Sequence, residues 1–255
     1  MVQTNRTVLI TGATSGIGKA CAEKFAAEGN NIIINGRRTD RLTELKNSLQ
    51  KDFNVKVFEL VFDVQNREEV FTAINNLPGE WQAIDILINN AGLALGREYF
   101  DEADIDDWET MMQTNVNGLL YVSRAVIPFM TKRKRGHIIN LGSVAGKEMY
   151  EKGNVYCASK AAVEAISKTM RIDLLQHRIR VTAIHPGAVE TEFALVRFKG
   201  DKEKADATYK GIVPLTGKDI AEIIYYTASL PENVCINDIV VTPISQADAI
   251  YFKRD

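Results

Sequence analysis

Two residues with complementary acid–base chemistry stand four positions apart in the segment NVYCASKAAVEAIS, residues 154–167. They are Tyr156 and Lys160, and residues i and i+4 of a helix share a face. An ammonium beside a phenol favours the phenolate and lowers a pKa that starts near ~10. Such a tyrosine becomes a usable general acid or base nearer to neutral pH. The alternative is a half-buried tyrosine beside a solvated lysine, and the pair alone does not decide between them.

Two further polar residues could join this chemistry. Ser143 ends the apolar strand pattern GHIINLGS (136–143), 13 residues before Tyr156, and its hydroxyl could orient a carbonyl oxygen. Asn115 lies in TNVNG within a long helical pattern, where propensity gives no reason for an Asn-x-Asn-Gly run. We interpret Asn115 as diverting its helix locally and holding a water for proton relay, with a surface amide as the alternative.

Strand and helix patterns alternate along the chain. Predicted helices cover residues 18–29, 40–49, 66–77, 106–130, 154–177 and 217–229, and predicted strands cover 7–11, 31–35, 55–63, 84–90, 136–143, 179–187 and 238–244. This alternation predicts an α/β fold: one doubly wound, mostly parallel sheet of about seven strands with helices on both faces. Ligands bind such sheets outside the carboxyl ends of the strands, which is where Ser143 falls.

A glycine-rich segment, TGATSGIG (11–18), follows the first strand and opens the first helix. Glycines there allow a tight turn and a close approach of the backbone to a pyrophosphate, which sits at the positive helix N-terminus. In this strand–loop–helix setting the segment predicts a dinucleotide site, although a plain turn is the alternative for the glycine triplet alone. The predicted contacts are Gly12, Thr14, Ser15, Gly16, Ile17 and Gly18.

The residues after the second strand indicate which dinucleotide would bind. The segment NGRR (35–38) carries no acid for a ribose 2′-hydroxyl. Arg37 and Arg38 instead offer forked donors for a 2′-phosphate. The sequence therefore favours NADP(H) over NAD(H), with a solvated arginine pair as the alternative.

The ends of the third and fourth strands add candidate cofactor contacts. Asp63, followed by Val64, could accept a hydrogen bond from an adenine amino group, or could simply belong to a turn. The segment NNAG (89–92) suits close approach to a ribose, and also suits a tight turn. Its predicted contacts are Asn90, Ala91 and Gly92.

Composition limits the classes of function. The net charge of −2 offers no broad basic surface for nucleic acid or an anionic membrane. Three scattered cysteines without a CxxC pair fit a reducing compartment and argue against disulfides and against a metal site. No signal-peptide pattern, long apolar run or linker is visible. We therefore expect a cytoplasmic protein whose residues 1–255 form a single domain.

Residues 188–214 have little pattern and follow the sixth strand at the carboxyl edge of the sheet. A loop in that position is expected to cover the substrate. The segment is basic, and a guanidinium fork suits a carboxylate. Arg197 is therefore our first candidate to anchor an anionic substrate, and Lys147, four residues after Ser143, is the second. A solvated basic loop is the alternative.

Six motifs in this order, TGATSGIG, NNAG, NVNG, GSVAG, YCASK and HPGAVET, resemble those of the short-chain dehydrogenase/reductases, over the whole chain. The resemblance implies a Rossmann-type domain with a catalytic tetrad. Tyr156 would donate the proton in reduction, Ser143 would orient the carbonyl, Lys160 would lower the pKa of Tyr156 and hold the nicotinamide ribose, and Asn115 would anchor a water. It also implies contacts to the nicotinamide from Pro186, Gly187, Val189 and Thr191.

A narrower likeness lies in IDILINNAGLALG, DDWETMMQTN, GNVYCASK and VRFKGD, which are similar to the NADP-dependent 3-hydroxy acid dehydrogenases. It implies hydride transfer between NADP(H) and C3 of small acids such as serine, L-allo-threonine, 3-hydroxyisobutyrate and malonic semialdehyde, by a homotetramer built through the two long helices. One alternative is a reductase of another small carbonyl compound such as sulfoacetaldehyde. Another is a nucleotide sensor without turnover, but such sensors commonly lose the tyrosine or the lysine.

Overall fold

The computed structural model describes residues 5–255. The strands of this part of the chain are β1 (Thr7–Ile10), β2 (Asn31–Gly36), β3 (Val57–Val61), β4 (Ile84–Asn89), β5 (Gly136–Leu141), β6 (Ile179–Pro186), β7 (Val189–Glu190), β8 (Leu215–Thr216) and β9 (Asp238–Val241). Its α-helices are α1 (Gly16–Ala27), α2 (Thr39–Phe53), α3 (Arg67–Asn75), α4 (Ile105–Met112), α5 (Leu119–Arg133), α6 (Asn154–Leu174), α7 (Phe193–Arg197), α8 (Lys202–Tyr209) and α9 (Gly217–Ser229).

Seven strands form one parallel sheet in the order β3-β2-β1-β4-β5-β6-β9. The strand order reverses between β1 and β4, and such a reversal leaves a crevice at the carboxyl edge of the sheet. The predicted Rossmann-type α/β fold is confirmed. The strand boundaries differ most at β9, which was predicted to reach residue 244 and ends at Val241.

Helices cover both faces of the sheet because neighbouring residues of a strand point to opposite sides. Val8 and Ile10 of β1 join the core beneath α1, α2 and α9, whereas Leu9 between them joins the core beneath α3, α5 and α6. All three side chains are fully buried. Burial on both faces explains why the strands read as continuous apolar runs. Each such side chain contributes roughly 1.5–3 kcal/mol to folding.

A buried polar network ties the centre of the sheet to two of these helices. The Asn89 side-chain amide donates to Ser123 Oγ of α5 and to Asn140 Oδ1 of β5, each at 2.9 Å. Asn140 in turn donates to Ser167 Oγ of α6 at 2.9 Å. Because Asn89 and Asn140 lie near the carboxyl ends of β4 and β5, the network fixes α6 relative to the edge where ligands bind.

The helix predicted over residues 106–130 is interrupted in its middle, and the predicted local diversion at Asn115 is confirmed. A π-helical segment, Gln113–Gly118, separates α4 from α5. Asn115 supplies the physical reason: its Oδ1 accepts from Leu93 N at 2.8 Å, while its Nδ2 donates to Leu93 O at 2.8 Å and to Ser159 Oγ at 3.0 Å. The wider π-helical turn directs the Asn115 amide toward the protein interior. Such segments are frequent at functional sites.

Residues 188–214 are more regular than the sequence suggested. They contain β7, which pairs with β8, and the helices α7 and α8. Five residues of α7 are too few to show a helical period, which is why the pattern was missed. The α8 helix is capped by Asp201, whose carboxylate accepts from Lys204 N at 3.1 Å.

Two structural features are absent from residues 5–255. No helix there combines the length and the apolar character that crossing a bilayer requires. No group of three or more His, Cys, Asp or Glu side chains in that range is placed to hold a metal ion.

Replacing Asn140 with alanine should destabilise the protein by about 3 kcal/mol, because it opens a void and breaks two buried hydrogen bonds. Urea unfolding measures this loss. Asn75→Ala is the matched control, since Asn75 is exposed at the end of α3 and its replacement should stay within about 0.5 kcal/mol. Equal effects of the two substitutions would contradict the role given to the network.

Candidate active site

A cavity of about 430 Å³ opens at the carboxyl edge of the sheet. Most of the predicted site residues line it, although they come from segments that are far apart in the chain. Those that line it are Gly12, Thr14, Ser15, Gly16, Ile17, Arg37, Arg38, Asp63, Val64, Asn90, Ala91, Gly92, Ser143, Tyr156, Lys160, Pro186, Gly187, Val189 and Thr191. The predicted residues Gly18, Asn115, Lys147 and Arg197 are not part of its lining.

The glycine loop has the conformation that a phosphate cradle needs. Gly12 and Gly16 have φ of +65° and +52°, which disfavour any residue with a side chain. Gly18 lies behind the cavity, and a Cβ there would collide with the carbonyl oxygen of Gly12. The first turn of α1 faces the cavity through Gly16 and Ile17, so its N–H groups and the helix dipole favour an anion there.

The predicted ribose segment also holds the glycine loop in place. The Asn90 side-chain amide donates to Thr11 O at 2.8 Å and to Gly12 O at 3.1 Å. The Thr11 hydroxyl accepts from the backbone N–H groups of Asn90 and Ala91 at 3.1 and 3.0 Å. Asn90 therefore positions the loop, a role that the sequence did not indicate.

The two arginines after β2 stand at the entrance and have different partners. Arg37 pairs with Asp63 at 3.3 Å and is 63% exposed. Arg38 donates to Thr14 Oγ1 at 2.8 Å and pairs with Glu192 at 3.0 Å. The sequence reasoning missed Glu192, which also lines the cavity, because it stands 154 residues from Arg38 and no local pattern marks it.

The reacting residues are brought together by tight packing between β5 and α6. Ser143 follows β5 and opens a short turn, Val144–Gly146. A Cβ at Gly146 would lie 2.5 Å from the carbonyl carbon of Lys160, so this turn rests directly on the backbone of α6. The contact brings the Ser143 hydroxyl near the phenol of Tyr156, whose pKa it lowers.

The electrostatics of the pair differ from the expectation. Burial raises the pKa of Tyr156, while the hydrogen bond from Ser143 and the charge of Arg197 oppose that rise. Burial also lowers the pKa of Lys160 to about 8. The Lys160 ammonium donates to Leu141 O at 2.9 Å. Arg197 is thus a cation that lowers the pKa of the phenol, an effect that was predicted for Lys160.

Arg197 stands beside Tyr156, although it does not line the cavity. Its guanidinium carbon lies 5.5 Å from the centre of the Tyr156 ring and 5.8 Å from that of Tyr150. Its Nη1 donates to the Tyr150 hydroxyl at 2.9 Å, and its Nε donates to Gly96 O at 3.1 Å. These bonds hold α7 against the loop that follows β4.

The contacts of Lys147, the second candidate, argue against its binding the anionic group of a substrate. Its ammonium pairs with Asp238 at 3.0 Å and with Glu164 at 3.3 Å, and these carboxylates already neutralise it. His185 lies beside this group, fully buried, with Nε2 3.1 Å from Asp238 and Nδ1 3.3 Å from Ser143 O. The cluster supports the strand end beneath Ser143, outside the cavity.

Comparison with known proteins agrees with this geometry. The family model described as short chain dehydrogenase matches residues 6–201. The chain belongs to the short-chain dehydrogenase family. This short-chain dehydrogenase is 48% identical over 243 residues to the NADP-dependent 3-hydroxy acid dehydrogenase of Salmonella typhi, covering 95% of this chain and 96% of the relative. It is 45% identical over 250 residues to sulfoacetaldehyde reductase 2 of Chromohalobacter salexigens, covering 97% and 98% of the two chains.

A solved structure shows that the similarity extends to the three-dimensional fold of this short-chain dehydrogenase. The closed form of serine dehydrogenase complexed with NADP⁺ superposes with a TM-score of 0.91 at 47% identity, covering 95% of this chain and 97% of the other. The family predicted from the six sequence motifs is thereby confirmed, together with an oxidoreductase activity of the family's kind.

Lys160→Met should stabilise the protein while it abolishes activity. The folded-state pKa of about 8 lies below the ordinary 10.5, so between these values the unfolded chain binds more protons. Wild-type stability therefore rises with pH across that window, and below it the buried ammonium costs about 3 kcal/mol. The urea midpoint of the variant should exceed that of the wild type at pH 7. This difference should be smaller at pH 9.5.

The control for this prediction is Lys168→Met, on the same helix but exposed. It should bring no comparable gain at pH 7. A Lys160→Met variant that is less stable than the wild type at pH 7, or whose difference from it does not change with pH, would contradict the burial cost.

Proposed function

We propose that this short-chain dehydrogenase transfers hydride between NADP(H) and C3 of small 3-hydroxy acids or their semialdehydes. The observation that carries the proposal is the guanidinium of Arg197 beside the ring of Tyr156, 5.5 Å from its centre, because it sets a carboxylate-binding group next to a proton donor. The names of the relatives, a 3-hydroxy acid dehydrogenase and a serine dehydrogenase, support the same substrate class.

The residues at the cavity fit NADP(H). The glycine loop and the N-terminus of α1 would hold the pyrophosphate, and Arg37 and Arg38 would hold the 2′-phosphate. Gly92, Pro186, Gly187, Val189 and Thr191 would line the nicotinamide end. When bound, the cofactor supplies or accepts the hydride. Two relatives whose names include NADP support this choice.

The protein's own residues would handle the proton. The Tyr156 phenol is protonated at neutral pH and would give its proton to the carbonyl oxygen, and the charge of Arg197, which lowers the phenol pKa against the effect of burial, would make it a stronger acid. Ser143 would hold that oxygen by a hydrogen bond. Lys160, cationic below about pH 8, would hold the nicotinamide ribose, and Asn115 would anchor a water that supplies the next proton.

A sulfonate-bearing carbonyl compound is the second candidate substrate. A guanidinium binds a sulfonate as readily as a carboxylate, because the oxygens of both groups accept hydrogen bonds from its N–H groups. The 45% identity to sulfoacetaldehyde reductase 2 favours this alternative.

A side-by-side assay tests the proposed function. NADP⁺-dependent oxidation of serine, L-allo-threonine, 3-hydroxyisobutyrate and isethionate would be followed at 340 nm. We expect activity on the hydroxy acids. Activity on isethionate alone would replace the proposal with the sulfonate alternative. Tight NADPH binding without turnover on this panel or on aldehydes would indicate a sensor instead.

Arg197→Ala should change substrate selectivity. Loss of a charged hydrogen bond of about 2–3 kcal/mol should lower kcat/KM for malonic semialdehyde relative to neutral propanal by about 30–160-fold. Comparing the two aldehydes separates anchoring from the effect of Arg197 on the Tyr156 pKa, which both substrates share. Lys204→Ala, in the same basic segment and 69% exposed, should leave the ratio unchanged. An equal loss on both aldehydes would disprove the anchoring role.

Arg37→Ala should raise the KM for NADPH by about tenfold and leave the KM for NADH unchanged, since only NADPH carries the 2′-phosphate that this charge would bind. Arg38→Ala should act in the same direction. Steady-state kinetics with both cofactors measure the effect, and the exposed Arg67→Ala of α3 is the control. An unchanged KM for NADPH in the Arg37 variant would exclude its cofactor role.

We further infer that the chain acts as one cytoplasmic domain and assembles as a homotetramer through its long helices. The exposed apolar side chains of Met112 and Leu120, 37% and 38% accessible, support a contact along the α4–α5 helix. Light scattering of the purified protein would give the oligomeric mass.

A further inference from the structure

A second cavity, of about 1060 Å³, lies at the opposite edge of the sheet, where the strands begin. Ile86, His137 and Ile179, at the amino ends of β4, β5 and β6, form part of its lining. The walls come from the α5–β5 connection, the end of α6 and the segment between α9 and β9. It shares no lining residue with the candidate active site.

Positive charge prevails in the lining of this second cavity, which we call the basal cavity. Six Lys and Arg side chains line it, against the two carboxylates of Asp85 and Glu232. Both carboxylates are already engaged, by Arg133 at 2.9 Å and by Arg135 at 3.1 Å. Within residues 5–255, five of the lining cations are in no ion pair: Arg6, Lys134, Arg171, Arg178 and Arg180.

Arg6 is the most deeply placed of these cations, with only 7% of its surface exposed. Its Nη1 donates to Ala228 O at 2.6 Å, but Nη2 is buried with no hydrogen-bond partner among the described residues. Burial, and then the charges of Arg180 and Arg135, lower the pKa of this guanidinium. An anion in the cavity would accept a hydrogen bond from Nη2 of Arg6. It would also reduce the repulsion between the positive charges that line the cavity.

We propose that the basal cavity binds a small polyphosphate-type anion. Guanidiniums pair with phosphate oxygens through two parallel hydrogen bonds, and several of them around one cavity suit an anion with more than one phosphate. Arg180 is already fixed, because its Nη1 donates to Val234 O at 3.0 Å and so ties the α9–β9 segment to the wall. The anion is either inorganic polyphosphate or the phosphate tail of a nucleotide, since the recognition chemistry is the same.

Isothermal titration calorimetry of the full chain tests the proposal with two probes, tripolyphosphate and ATP. The protein is first saturated with NADP⁺ so that the glycine loop is filled. The test variant is Lys134→Asn with Arg178→Asn. Both residues have positive φ, of 50° and 56°, which asparagine adopts readily, so the substitutions remove two charges without straining the backbone. Arg178→Asn alone provides a milder version.

We expect at least one probe to bind the wild type, and the double variant to bind it at least tenfold more weakly. Lys152→Asn is the matched control, because Lys152 also has positive φ, of 62°, but lies outside the basal cavity; its affinity should match the wild type. Binding of tripolyphosphate alone would assign the inorganic anion, and binding of ATP as well would assign the shared phosphate chemistry. Absence of heat with both probes, or equal affinity of wild type and double variant, would overturn the proposal.

Discussion

The position of Tyr156, the proposed proton donor, depends on one close backbone contact, between Gly146 and the Lys160 carbonyl of α6. A methyl group at Gly146 would come within 2.5 Å of that carbonyl carbon, so only glycine allows the turn after β5 to rest on the helix. The contact joins the turn that follows Ser143 to the helix that carries Tyr156, and the Asn89–Asn140–Ser167 network ties the same helix to the sheet. Without this packing, the polar residues of β5 and α6 would not face a common cavity.

Such packing buries the reacting groups, and burial then controls their protonation. It raises the pKa of Tyr156, so the phenol holds its proton more tightly, while the Ser143 hydroxyl and the charge of Arg197 lower that pKa and make the phenol a stronger acid. It lowers that of Lys160 to about 8, so this ammonium is held in place at a cost to stability. The positive charge beside the tyrosine comes from Arg197 of α7, whose own position depends on Tyr150 and Gly96. Under the proposed function, Arg197 would therefore link substrate recognition to the acid strength of Tyr156.

Much of this arrangement could be predicted from the sequence, because doubly buried strands read as apolar runs and the glycine loop has a fixed place after β1. Contacts between distant segments were not predictable: Glu192 reaches Arg38 across 154 residues, and Asn90 braces the glycine loop rather than simply facing a ribose. The π-helical turn at Asn115 requires knowledge of its partner Leu93. Lys147 was misjudged because the sequence could not show that Asp238 and Glu164 neutralise it.

The most direct test of the central claim, that Tyr156 donates the proton while the cavity binds NADPH independently of it, is a single-turnover measurement on Tyr156→Phe. NADPH binding by fluorescence titration should stay within about twofold of the wild type, because the phenol hydroxyl is not needed to hold the phosphates. Oxidation of bound NADPH by malonic semialdehyde should slow by about 10²–10⁴-fold, the usual contribution of a positioned general acid. Unchanged hydride transfer in this variant would contradict the assignment.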